Sequence, residues 1–129
     1  MLKQMQRPDR GFTLIELLVT MAIIATLLSL AAPRYYGNVE KAKEATLQQN
    51  LATLRDVLDK HFADKGRYPQ ALDELIVGRY LRAIPRDPFT DSNRTWQLVP
   101  PADPQLGGIY DVRSGATGTA RDGSRLGDW

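Results

Sequence analysis

Phe12-Thr13-Leu14-Ile15-Glu16-Leu17-Leu18-Val19-Thr20-Met21-Ala22-Ile23-Ile24-Ala25-Thr26-Leu27-Leu28-Ser29-Leu30-Ala31-Ala32 runs for 21 residues with Glu16 as its only charge. A helix needs about 20 predominantly apolar residues to cross the hydrocarbon core of a bilayer, so the length suffices. A carboxylate in such a segment costs roughly 2.5 to 3.5 kcal/mol at the membrane centre and less near an edge. Charges kept at that cost face protein or water rather than lipid, and Glu16 reads as a contact for another subunit.

Ahead of this run, Met1 to Gly11 is short, polar and basic: Lys3, Arg7 and Arg10 stand against Asp9. Positive charge before an apolar span stays on the cytoplasmic side, which directs the rest of the chain outward. The whole chain has 17 Lys and Arg against 15 Asp and Glu, a formal +2, and the leader carries all of that excess. The chain beyond the leader is formally neutral, so charge gives no support to a nucleic-acid partner. The absence of cysteine excludes disulfides and cysteine-ligated zinc. At 129 residues there is room for one ordinary domain beside the membrane segment. The competing reading is an ordinary signal peptide cut after Ser29-Leu30-Ala31, against which stand the length of the run and the position of Glu16.

Pro33 closes the apolar run, and helical periodicity continues beyond it. Leu47, Leu51, Leu54, Leu58 and Phe62 are spaced 4, 3, 4 and 4 residues, one stripe of a 3.6-residue period. Charged and amide residues between them, Glu44 and Arg55 included, predict a solvated face. Lys65-Gly66 supplies the stop, a cation in the last turn and then a glycine for a left-handed cap. These signals together predict one helix from Phe12 to about Asp64, roughly 80 Å long at 1.5 Å per residue, with Pro33 and Gly37 as the places where it would kink.

After Arg67-Tyr68-Pro69, the segment Ala71 to Val77 predicts a short helix, and Ile84-Pro85-Arg86-Asp87-Pro88 a loop. Thr95 to Val99 and Ile109 to Val112 read as strands. So few strands need an apolar partner, which the Leu47 to Phe62 stripe provides. His61, the single histidine, reads as a boundary residue with no catalytic part, and no nucleophile or phosphate-loop motif accompanies it. Trp96, Tyr68, Tyr80 and Tyr110 read as core and rim, and Arg79, Arg82 and Arg86 as a solvated edge in preference to a DNA-binding one. The fold expected is α+β. A long N-terminal helix, transmembrane in its first half and amphipathic in its second, carries a small C-terminal head with a short helix and a 2–3-stranded antiparallel sheet.

Gly11-Phe12-Thr13-Leu14-Ile15-Glu16-Leu17-Leu18-Val19 resembles the type III signal of type IV pilins and type II secretion pseudopilins almost letter for letter. Gly66-Arg67-Tyr68-Pro69, Tyr80-Leu81, Pro85-Arg86-Asp87-Pro88-Phe89 and a Gly-rich end closing on Trp129 are similar to the G-type, or major, pseudopilins in particular. The resemblance implies that a prepilin peptidase cuts between Gly11 and Phe12 and N-methylates Phe12. It divides the chain into a cleaved leader (1–11), a transmembrane or filament-core helix (12–33), an amphipathic continuation (34–65) and a periplasmic head (66–129). Glu16 is then expected to meet the Phe12 amine of a neighbouring subunit during assembly.

The same resemblance implies calcium in a loop near the end. Asp122, Ser124 and Asp128 are the candidate ligands, although Thr117 stands where many members have Asp and Arg121 and Arg125 oppose a cation. A loop closed by hydrogen bonds and Arg-Asp pairs is the alternative. No catalytic residue is expected, so the chain is read as a structural subunit and not an enzyme. Its implied partners are further copies of itself, minor pseudopilins, the prepilin peptidase, an inner-membrane platform with its ATPase, and an outer-membrane secretin; no nucleic acid is expected. The location implied is the bacterial inner membrane, then a periplasmic filament. A type IV pilin subunit and a Sec-exported soluble domain are the rival readings.

Overall fold

Thr13 opens the long helix. Its hydroxyl oxygen accepts the N–H of Glu16 at 3.2 Å, the N-cap half of a Thr-x-x-Glu capping box. From there α1 runs over Leu14–Lys65 for 52 residues and passes through Pro33. Proline has no N–H to give, so the Ser29 carbonyl loses its helical donor. The stop falls where Lys65-Gly66 predicts it: Gly66 adopts φ +70° and its N–H bonds the Phe62 carbonyl at 2.8 Å. The structure is a computed structural model describing residues 10–129; Lys3, Arg7 and Asp9 of the basic leader lie outside the described residues.

Two units divide the chain after Gly37. In the first, no side chain from Phe12 to Gly37 is buried. Its helix is long and apolar enough to cross a membrane. Apolar surface this continuous marks a site of contact with lipid or protein, since soluble monomers rarely expose such patches.

The second unit, Asn38–Trp129, holds the core. Leu47, Leu51, Leu54, Val57 and Leu58 of α1 pack with Leu72, Leu75, Trp96, Ile109, Val112, Ala120 and Leu126. Each Leu fully buried contributes about 1.5–3 kcal/mol. The predicted stripe is therefore the core face, except that Phe62 is half-buried and stacks on Tyr68 with ring centroids 4.5 Å apart. A short helix α2, Asp73–Val77, adds Leu75. Strands β1 (Gln97–Val99) and β2 (Asp111–Arg113) pair antiparallel with Leu98 opposite Val112.

Both strands start two residues later than their composition suggests. Trp96 turns into the core and gives its indole N–H to the Pro85 carbonyl at 2.8 Å. Ile109 gives its backbone N–H to Pro69 at 3.0 Å, so it belongs to that turn and not to the sheet. Three further expectations are corrected. Arg55 is not on a solvated face: its Nε donates to Asp111 Oδ1 at 2.8 Å, and its guanidinium also reaches the Val112 and Trp129 carbonyl oxygens at 3.2 and 2.7 Å. Glu44 accepts the backbone N–H and the Nε of Arg121 at 2.8 and 3.2 Å. His61 is buried, its Nδ1 hydrogen-bonded to the Arg67 carbonyl at 2.8 Å. The Tyr80 ring packs beside it with centroids 5.5 Å apart.

Close backbone approach decides Gly107. Its φ is +125°, and a Cβ built there lies 2.2 Å from the Tyr68 carbonyl oxygen. Strain and a backbone clash act together, so Gly107→Ala is expected to destabilise the fold by about 3 kcal/mol. A fall in melting temperature of roughly 10 °C or more checks it; an unchanged melting curve refutes it.

Candidate assembly site at the start of the long helix

Polar side chains within the apolar run are satisfied inside the helix, with one exception. Thr20, Thr26 and Ser29 donate their hydroxyls to the carbonyls of Glu16, Ala22 and Ala25 at 2.7 to 2.8 Å. This back-bonding to residue i−4 hides a hydroxyl in an apolar setting. The Glu16 carboxylate has no hydrogen bond or ion pair to any described residue, although its backbone N–H is capped by Thr13. It lies in the first turn of α1, where the helix dipole favours negative charge. Phe12 sits just outside that turn with 90% of its surface exposed. A Cβ on Gly11 would meet nothing within 4 Å. The chain's own packing therefore does not demand glycine at 11.

The structure brings together Gly11, Phe12 and Glu16 within one helical turn of the N-cap, as their spacing requires. It treats the C-terminal candidates differently. Ser124 gives both its N–H and its hydroxyl to Asp122 Oδ1, at 2.9 and 2.6 Å, and its hydroxyl oxygen accepts the Trp129 indole N–H at 2.8 Å. Those bonds, first the Ser124 hydroxyl and then its N–H, hold the Asp122 carboxyl below its ordinary range. Asp128 stands outside this set, in a 3-10 turn over Leu126–Asp128. Arg121 turns to Glu44 on α1, so of the alternative reading the hydrogen bonds are present in the loop and an Arg121–Asp pair is not.

Calcium takes 6 to 8 oxygens with carboxylates among them. Among the described residues no three His, Cys, Asp or Glu side chains gather as a cation-holding group. Asp122 and Ser124 are held side by side, and the Ser124 oxygen keeps one lone pair beyond the Trp129 bond; Asp128 and backbone carbonyls are the further candidate oxygens. That set fits a hard cation loosely.

Asp87 is the structural residue that sequence reasoning missed. It is fully buried, its Oδ1 accepts the Phe89 N–H at 2.9 Å, and its Oδ2 accepts the Ser114 hydroxyl. The Asp-Pro-Phe spacing does carry a signal, because an Asp side chain bonding the N–H two residues on is an Asx-turn. Thr13-x-x-Glu16 is likewise a legible capping-box pattern.

A family model for the prokaryotic N-terminal methylation motif matches residues 6–32. The chain is similar to type II secretion system core protein G of Klebsiella pneumoniae, 33% identical over 97% of this chain and 96% of that protein. Core protein G of Aeromonas hydrophila is 31% identical over 96% of this chain and 94% of its own length. The type IV major pilin protein PilA of Myxococcus xanthus is 34% identical, but over 52% of this chain and 30% of that pilin. No solved structure matches the chain. With near-complete coverage at this identity, a methylation motif at the start and an exposed apolar helix joined to a small α+β head, the chain belongs to the family of type II secretion system core protein G, the major pseudopilins.

Proposed function

We propose that this chain is the structural subunit of a type II secretion pseudopilus, cut between Gly11 and Phe12 and N-methylated on Phe12 by a prepilin peptidase. The observation that carries the reading is the Glu16 carboxylate, unpartnered among the described residues on a helix whose other polar side chains are satisfied. Cleavage places a cationic amine on Phe12, at the helix end where the dipole disfavours positive charge. Glu16 of a neighbouring copy neutralises it once the apolar helices pack together, where the lower effective dielectric strengthens the pair. Before assembly the helix rests in the inner membrane with the head in the periplasm. Afterwards the filament, driven by the platform and ATPase and joined by minor pseudopilins, pushes substrates through the secretin. The role is mechanical, not enzymatic.

Mass spectrometry of the protein purified from membranes tests the processing. N-methylphenylalanine at position 12 is the expected N-terminus; Ala32 at the N-terminus would show an ordinary signal peptide and overturn the reading.

For the C-terminal loop we propose a weak calcium site built on Asp122, Ser124 and Asp128 with backbone carbonyls. With only two carboxylates the affinity falls at the weak end for such modules, about 10⁻⁴ to 10⁻³ M. The bonds from Ser124 hold the folded-state Asp122 carboxyl low; the stability this gives is present above the ordinary carboxylate range and lost as pH falls through the lowered value. At neutral pH, millimolar calcium is expected to raise the melting temperature by a few degrees in the parent and not in Asp122→Ala. No shift in the parent removes calcium.

A further inference from the structure

We infer that Arg34, Tyr35 and Tyr36 form a collar in the outer headgroup layer of the bilayer that sets the depth of Glu16 in the membrane-stored chain. The inference rests on the membrane reading above. Tyr35 and Tyr36 are 67% and 68% exposed, with ring centroids 5.9 Å apart in an edge-on arrangement. Neighbouring helical positions lie about 100° apart around the axis. The two rings, leaving the axis in different directions and meeting edge-on, form one continuous aromatic arc of α1 at a single depth. Tyrosine has an apolar ring and a polar tip, the chemistry found at membrane interfaces. Arg34, also exposed, extends an aliphatic stem past the apolar boundary and keeps its cation among phosphates.

The collar's second property is its distance from the carboxylate. Nineteen positions separate Glu16 from Tyr35, about 28 Å along a helix, and the hydrocarbon core is about 30 Å thick. With the collar in the outer headgroup layer, Glu16 comes to the inner boundary, where a charge costs less than at mid-bilayer. Thr20, Thr26 and Ser29 have no stake in depth because their hydroxyls are bonded within the helix. The tyrosines oppose the pull of the Glu16 carboxylate toward cytoplasmic water.

The chain contains no cysteine, so Thr20→Cys offers a single labelling site. The full-length chain carrying a spin label there would be reconstituted in phosphatidylethanolamine–phosphatidylglycerol vesicles. Label depth is read from collisions with oxygen against a polar nickel chelate. Replacing both tyrosines (Tyr35→Ala with Tyr36→Ala) is expected to make the label shallower by about one helical turn, ~5 Å. Tyr35→Trp with Tyr36→Trp should restore the parent depth. Equal depth in parent and alanine variant, with both floating with the vesicles, would overturn the collar alone. Label immobilisation that rises with protein density and vanishes in the alanine variant would assign the tyrosines to a second copy's helix and also overturn it. A parent chain that fails to float would overturn the membrane reading and the collar with it.

Discussion

Glu16→Ala is expected to leave processing at Phe12 intact and to reduce filament yield on the order of a hundredfold. Leaving one partner of a desolvated ion pair uncompensated costs about 3 to 5 kcal/mol, and every 1.36 kcal/mol is a factor of about ten. Each subunit in a filament makes the contact, so the deficit recurs at every addition. The helix cap joins the Glu16 backbone N–H to the Thr13 hydroxyl oxygen, a bond that the alanine variant keeps, so the cap does not confound the test. Glu16→Gln keeps the shape of the side chain but removes the charge. If the ion pair is what matters, Gln assembles as poorly as Ala. Filament yields at the parent level in either variant, scored by electron microscopy and sedimentation of crosslinked membranes, would sink the pairing.

The second large effect lies in the head. Asp87→Ala is expected to destabilise the folded head by about 3 kcal/mol and lower its melting temperature by more than about 10 °C. The carboxylate is fully buried and serves two donors, the Phe89 N–H and the Ser114 hydroxyl. The Asp87 backbone N–H also bonds the Ser92 carbonyl at 2.9 Å. One residue thus fastens the loop before β1 to the chain leaving β2. Truncation strands the buried Ser114 hydroxyl and the half-buried Phe89 N–H, at about 1 to 3 kcal/mol each. Asp87→Asn keeps one acceptor oxygen for Phe89 and can still bond Ser114 through its amide, so its loss should be near about 1 kcal/mol. Calorimetry of the soluble head, produced after confirming that residues 38–129 fold without the apolar segment, gives the ranking. Alanine and asparagine variants melting together with the parent would show that the carboxylate holds nothing.

Most of the long helix was legible because local rules write it. The apolar run, the Lys65-Gly66 stop and the leucine stripe each depend on residues a few positions apart, and α1 ends at Lys65 with that stripe in the core. The spacing of Gly11, Phe12 and Glu16 is equally local, a pattern of neighbours in sequence that owes nothing to distant partners. The features that stayed hidden depend on partners far along the chain. Arg55 meets a residue 56 positions away, Glu44 one 77 away and Asp87 one 27 away. Periodicity assigns such side chains to a solvated face or a loop because it records which way they leave the backbone and not what arrives there.

The C-terminal loop shows the same division. Arg-Asp pairs were one reading of its charged residues, whereas folding sends Arg121 to α1, ties Ser124 to Asp122 and buries Leu126. By itself, the sequence determined a helix able to cross a membrane, the place of its single charge and the family to which the chain belongs. Tertiary structure alone decided which charged side chains became struts of the head. Membrane insertion and helix periodicity are sums over neighbours in sequence, while a buried hydrogen bond exists only where the fold delivers both of its ends.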